Sequence, residues 1–332
     1  MAIRGPISRF DRRRVSGLSE VDADGVLTFR DRGAKYLLGE GVWLAVDFMA
    51  GIDDPHARFE FSSPRVCAGS NLVPASVEET LDAVDYLVDV ASEFVSWSTD
   101  PGDLAVTRVD YTTNVQLDPE VGLDYRGLVD LLARRQPRGG MQSTVHLGAK
   151  DMYGHSVTWG TDEWRVIVYD KRAEILNRSR RRLVNQTTVA RDLGLAEGIV
   201  RIETSLRSRE LSKIGARSVN GLREGASEVA ALARKHVGRI GVDAPVLSES
   251  AVISAIRRQL ASGQQDVSKT IGLLFLESHG LVDNLAENTR RNRCKRLFEM
   301  GLADFTFASP SPSHSVRIDL DSHRVVRLWS DR

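Results

Sequence analysis

Val157-Thr158-Trp159-Gly160-Thr161-Asp162-Glu163-Trp164-Arg165-Val166-Ile167-Val168-Tyr169-Asp170-Lys171 reads as two β runs joined by a polar turn that holds Gly160 and Asp162. Side chains on a strand alternate between faces. Trp164, Val166 and Val168 therefore point one way, and Arg165, Ile167, Tyr169 and Lys171 the other. A tyrosine at a strand end, on one face with two cations, suits attack on a phosphate. The hydroxyl supplies the nucleophile, and the cations offset the charge of the target. The plainer reading of the same tyrosine is an amphipathic residue at the edge of a core.

The same alternation recurs outward from this hairpin. Upstream, Ala57-Arg58-Phe59-Glu60-Phe61-Ser62 sets Phe59 and Phe61 against Arg58, Glu60 and Ser62, and Ala105 to Val115 places Arg108, Asp110 and Thr112 on one face. Ser143 to Leu147 opposes Val145 and Leu147 to Thr144 and His146. Downstream, Ile199 to Leu206 opposes Val200, Ile202, Thr204 and Leu206 to Arg201, Glu203 and Ser205, and is expected to close the sheet. Gly25 to Phe29 and Val42 to Phe48 are further β runs. Helical spacing marks Val77 to Phe94, after an N-cap at Ser76, then Tyr125 to Arg135 and a basic helix from Ala173 to about Leu183. Strands that each carry one apolar and one charged face predict an α+β domain, a mainly antiparallel sheet with helices on one face. Its open face would gather Glu60, Asp110, His146, Tyr169, Lys171 and Glu203.

Beyond Pro245 the character changes. Glu249 to Ala261, Asp266 to Ser278 and Val282 to Met300 read as helices, either a helix-turn-helix relative or a cap on the sheet domain. Ser309-Pro310-Ser311-Pro312-Ser313 is a linker by composition, and two runs after it, Val316 to Leu320 and Arg324 to Leu328, form a closing hairpin. Residues 1–23, with Arg12-Arg13-Arg14, are expected to be a mobile basic arm.

The 332 residues carry no net charge, but the distribution is uneven. Ala75 to Leu104 holds eight acids and no Lys or Arg, whereas Lys171 to Ile240 carries a net charge of about +9. That block contains Arg178-Ser179-Arg180-Arg181-Arg182, either a solvated helix face or a surface that tracks phosphates. Cys67 and Cys294 are the only cysteines, which excludes a disulfide framework and a cysteine-based zinc site. No apolar run approaches a membrane span and no apolar leader opens the chain, so a cytoplasmic location is expected.

Acids beside basic residues on a sheet face are commonly surface ion pairs. Three carboxylates and a histidine converging there would instead give ligands suited to Mg²⁺ or Mn²⁺. Such an ion would polarise a phosphoryl oxygen in line with Tyr169, whose phenol, with an ordinary pKa near 10, needs a neighbouring cation or base. Arg108, Arg165 and Arg201 on the polar faces, with Arg180, Arg181 and Arg182, are the candidate contacts to a phosphate backbone.

Four segments, in order, resemble the gene II/X replication-initiation proteins of filamentous phages, a family of rolling-circle initiators. They are Arg58 to Pro64 with Gly69-Ser70-Asn71, Thr107 to Asp110, Val157 to Lys171, and Gly198 to Glu203 continuing through Arg207 to Leu211. The helical segment ending Phe298 to Leu302 is similar to the later part of those proteins. The resemblance spans about residues 24–306. It implies an endonuclease that nicks one strand of origin DNA, bound as duplex and single strand, and later rejoins it. Tyr169 stands at the family's nucleophile position, Lys171 matches a nearby lysine, and Glu60, Asp110 and Glu203 fall on matching acidic positions, implying metal ligation. A 5′-phosphotyrosine link would form, and the freed 3′-hydroxyl would prime a host polymerase, with a host helicase as a further partner. No nucleotide cofactor is implied.

On this reading residues 1–23 are the arm, 24–242 the nicking domain, 243–306 a helical DNA-binding or capping region, and 307–332 the linker and hairpin. Two departures stand out. The paired His-hydrophobic-His motif common among rolling-circle nickases is absent, leaving His146 alone, and an opening apolar strand is missing. A non-catalytic DNA-binding regulator and a plasmid mobilisation relaxase are the rival readings. The relaxase fits less well, because such enzymes usually carry the histidine cluster.

Overall fold

Period-two alternation decides where each strand can lie, because one face of every strand here must be buried. The computed structural model describes residues 1–10, 33–39, 42–47, 56–117, 125, 128–129, 132, 143–146, 156–180, 186–242, 292, 316–321 and 323–327. The strands are β1 (Ala2–Phe10), β2 (Gly33–Gly39), β3 (Val42–Asp47), β4 (His56–Phe61), β5 (Val95–Trp97) and β6 (Ala105–Gln116). After them come β7 (Ser143–His146), β8 (Ser156–Gly160), β9 (Trp164–Asp170), β10 (Ile199–Arg207), β11 (Val316–Asp319) and β12 (Arg324–Arg327). Helices are α1 (Ser63–Ala68), α2 (Val77–Ser92), α3 (Lys171–Arg180), α4 (Gln186–Leu195), α5 (Ser208–Lys213), α6 (Val219–Glu224) and α7 (Ala226–Ile240). The main sheet runs β2-β3-β4-β1-β6-β10-β9-β8-β7, and every neighbouring pair along it is antiparallel. The fold is therefore α+β, as the alternation predicts.

The apolar face is the one expected. Phe59, Phe61, Val106, Val115, Trp164, Val166, Val168, Val200, Ile202 and Leu206 are all buried in one core. Against them pack Val84, Leu87, Val88 and Ala91 of α2 and Val229, Ala233, Val237 and Ile240 of α7. Helix α2 starts at Ser76, as expected, through a capping box in which Ser76 and Glu79 each satisfy the other's backbone N–H. Trp164, at the start of β9, stacks on the buried His236 of α7 with ring centroids 4.2 Å apart, and Arg239 lies over its ring. His236 in turn bonds Glu210 of α5 at 3.1 Å, so helix positions are tied to the strand that carries Tyr169.

Two expectations change. The first ten residues are not an arm: β1 sits in mid-sheet between β4 and β6, and Met1, Ile3 and Ile7 are buried. The arginines of this segment suggest disorder, yet Ile3, Gly5 and Ile7 alternate with Arg4, Pro6 and Ser8 as a strand requires. A Cβ at position 5 would run into Leu104, so glycine lets β1 lie close to its cover. The opening strand expected to be missing is thus present. Secondly, β10 does not close the sheet but lies inside it, between β6 and β9.

The expected helix over Tyr125 to Arg135 is helical at Tyr125, Leu128, Val129 and Leu132, and the terminal hairpin is formed by β11 and β12. Gly25 to Phe29, the remainder of the arm beyond Phe10, and the helices expected over 249–300 lie outside the described residues, apart from position 292. Among the described residues no helix is long and apolar enough to cross a membrane.

Ile3→Ala is expected to lower stability by about 3 kcal/mol, the usual cost of truncating a buried aliphatic side chain. Urea unfolding of the full chain checks this; a mobile arm would leave the midpoint unchanged.

Candidate active site

The β6–β10–β9 register brings the polar residues together. Ser205 lies opposite Asp110, Glu203 opposite Thr112, and Arg201 opposite Asn114 on one side and Tyr169 on the other. Glu203 and Tyr169 are diagonal neighbours on one face, and the Tyr169 hydroxyl donates to Glu203 Oε2 at 3.1 Å. The Tyr169 ring is only 2% exposed but stands outside the main apolar core, among the acids and amides of the polar face.

Immediately after it the chain changes from strand to helix. Asp170 Oδ1 accepts from the backbone N–H groups of Arg172 and Ala173, at 2.8 and 3.1 Å, and so caps α3. Lys171, the first residue of α3, is fully buried. Its Nζ donates to Glu174 Oε2 at 2.6 Å and to Asn71 Oδ1 at 2.8 Å. A buried ammonium needs such partners, since removing one would leave an uncompensated charge. Lys171 therefore does not face solvent beside Tyr169 as alternation suggests. The helix begins at that residue and turns its side chain inward.

The loop Gly69 to Val73 roofs this end of the polar face. Leu72 O accepts from Asn114 Nδ2 at 2.7 Å and from Arg201 Nη2 at 2.6 Å, while Arg201 Nε donates to Asn114 Oδ1 at 2.8 Å. Ser70 Oγ donates to Asp192 of α4. Leu72, Ile175 and Ala196 make a small second core here, so the polar face is not bare throughout. Arg201, expected to contact DNA, is 4% exposed, with its Nε and Nη2 engaged beneath the roof.

Asp110 is the hub of the other half. Its Oδ1 accepts from Ser205 Oγ at 2.6 Å, and its Oδ2 from Arg108 Nε at 3.0 Å and from the Met1 amino group at 3.3 Å. Burial alone would raise its carboxyl, but these three donors outweigh burial and bring it down to about 2. Glu203 shifts the opposite way. Burial and then the negative charge of Asp110 push it up, against the pull of Arg201, the Tyr169 hydroxyl and Lys171.

The expected metal quartet is only half assembled. Asp110 and Glu203 act on each other, whereas Glu60, across β1 from Arg108, is ion-paired with Arg58. Among the described residues no three His, Cys, Asp or Glu side chains are grouped to hold a metal ion. The His146 side chain, that of Arg180, and all of Arg181 and Arg182 lie outside the described residues. Sequence reading misses Asn71, Asn114, Glu174 and Ser205. Of these, Asn71 and Asn114 carry a signal, as amides next to or within quoted motifs. Ser156, opposite Tyr169 on β8, is also buried, its hydroxyl without a hydrogen-bond partner among the described residues.

Residues 66–225 match a family model that describes the N-terminal part of a phage replication-associated protein. This stretch, just under half of the chain, is similar to the N-terminal domain that the family model describes. It contains Asp110, Tyr169, Lys171 and Glu203 but not Glu60. The match is consistent with the filamentous-phage gene II initiators and supports a role in rolling-circle replication initiation, which implies DNA binding at an origin. No curated protein matches the chain.

Because the Glu203 carboxyl titrates above its unfolded value, ionising it opposes folding once pH rises through that range. Glu203→Gln is therefore expected to gain stability over the parent at neutral pH and to lose that advantage near pH 4, below the unfolded pKa. Urea midpoints measured across pH check this; a constant difference would contradict it.

Proposed function

We propose that the chain is a rolling-circle initiator that nicks one strand of origin DNA with Tyr169 as nucleophile. The observation that carries this is the 3.1 Å hydrogen bond from the Tyr169 hydroxyl to Glu203, at a strand end inside the matched segment. As the phenolic oxygen attacks the scissile phosphorus, Glu203 accepts its proton. The P–O3′ bond breaks, the 3′ oxygen leaves and takes up a proton, and the phosphate stays esterified to Tyr169 on its 5′ side. One phosphoester replaces another, so attack by a 3′-hydroxyl reverses the step and rejoins the strand. Burial and Asp110 strengthen Glu203 as a base, narrowing its gap from the phenol. A ring only 2% exposed has to be uncovered as the substrate enters.

Lys171 acts here as a positioning residue, through α3 and the field it exerts on Glu203. The released 3′-hydroxyl is a primer for a host polymerase behind a host helicase, in the bacterial cytoplasm. Asp110 and Glu203, paired carboxylates from neighbouring strands, fit the hard oxygen donors that Mg²⁺ or Mn²⁺ prefers. Bound there, the ion would polarise a phosphoryl oxygen.

Tyr169→Phe is expected to bind origin DNA like the parent and to form no covalent adduct. Denaturing gels of supercoiled origin plasmid with Mg²⁺ or Mn²⁺ check this. An adduct in the variant moves the nucleophile elsewhere, and a mobility shift without any nick in the parent supports a non-catalytic regulator. Mn²⁺ is expected to raise the melting temperature of the parent and not of Asp110→Asn/Glu203→Gln, since only a ligand that binds the folded state stabilises it. Equal shifts in both would place the ion elsewhere.

A further inference from the structure

The polar face carries a second feature that the tyrosine chemistry does not use. Register places Arg4 of β1 directly opposite Arg58 of β4, and Arg207 of β10 directly opposite Arg108 of β6. Arg165 of β9 lies opposite Ser205, next to Arg207 on the same face. Neighbours on the alternate positions, Ile3, Phe59, Val109, Leu206 and Val166, are buried in the core, so all five arginines belong to the other face. They form a band across β4, β1, β6, β10 and β9, which at strand spacing is about 19 Å wide.

Like charges directly opposite in an antiparallel pair are destabilising, and here two such pairs lie on one face. The local acids do not resolve this. Glu60 pairs with Arg58 and Asp110 with Arg108, while Arg4, Arg165 and Arg207 have no carboxylate partner among the described residues. The Nε of Arg4 is buried without a hydrogen-bond partner among the described residues, and Arg165 and Arg207 are exposed. Guanidinium groups grip phosphate oxygens in a planar fork, so a row of them suits a run of phosphates.

We infer that the band of Arg4, Arg58, Arg108, Arg165 and Arg207 is a subsite for the phosphodiester backbone of a single DNA strand. Arg165 lies four residues from Tyr169 along β9, about 13 Å. The strand held by the band therefore runs on toward the phenol, and this placement of the scissile phosphate rests on the tyrosine reading. A single strand fits better than a duplex, because the nucleophile lies within the face beside a roofed corner that one chain can enter.

The test uses the full chain carrying Tyr169→Phe, which holds it at the binding step. Fluorescence anisotropy with a labelled oligothymidylate gives the slope of log affinity against log salt concentration. Each phosphate contact removed lowers that slope by about 0.7 for single strands. Arg4→Gln/Arg165→Gln/Arg207→Gln is expected to lower it by about 2, with a melting temperature unchanged or higher because opposed charges are gone. An unchanged slope in the folded triple variant overturns the proposal, and so does a slope loss seen only with duplex DNA. Should the triple variant unfold, Arg165→Gln alone, exposed on β9, is expected to lower the slope by about 0.7. Covalent adduct in the parent with unchanged slopes overturns the band alone; lowered slopes without adduct in the parent overturn the tyrosine reading alone.

Discussion

Nine consecutive residue pairs, from Ile199 opposite Gln116 to Arg207 opposite Arg108, lock β10 to β6, and the whole site depends on that register. A slip of one residue would turn Val200, Ile202 and Leu206 out of the core and carry Arg201, Glu203 and Ser205 into it. The burial of the apolar set thus fixes the polar set without any polar contact needing to be strong. Ser205 then meets Asp110, Arg201 meets Asn114, and Glu203 comes within reach of the Tyr169 hydroxyl across the seam with β9. Position here is set by hydrophobic burial, and chemistry is delivered by what lies on the reverse side.

That division explains what can be read from the sequence. Period-two alternation sorts the residues of β4, β6, β9 and β10 onto their faces, and the Ser76 cap places the start of α2. Alternation says nothing about which strand lies beside which. It therefore leaves β10 at an edge when the strand is central, and β1 stays hidden because the basic run Arg12-Arg13-Arg14 that follows it dominates the composition of the whole opening segment. Composition reports the average of two faces, whereas the fold responds to each one separately.

Lys171 shows a different limit. Extending the strand by one residue puts its side chain beside Tyr169, but Asp170 caps a helix there and the lysine turns inward to Glu174 and Asn71. Asn71 lies a hundred residues away in sequence, so no local pattern could announce the contact. The same holds for Arg201, whose guanidinium looks like a surface cation until Leu72 O and Asn114 are brought over it. Buried ions find partners through tertiary structure, and those partners decide whether a charged residue meets a ligand or holds the scaffold.

The polar face therefore divides its charges by burial. Around Tyr169 the cations are sealed and matched, Lys171 by Glu174 and Arg201 by amide and carbonyl oxygens, which leaves Glu203 as the group whose proton affinity is free to rise. Toward the far end of β9 and β10 the arginines are open and outnumber their acids. A sheet selected for stability alone would not set arginine against arginine twice on one face, since an apolar or neutral pair would serve better. The repulsion is instead relieved when a polyanion lies across the strands. Matched buried charge keeps Tyr169 and Glu203 in fixed geometry, and unmatched exposed charge supplies attraction for a polyanion that approaches them.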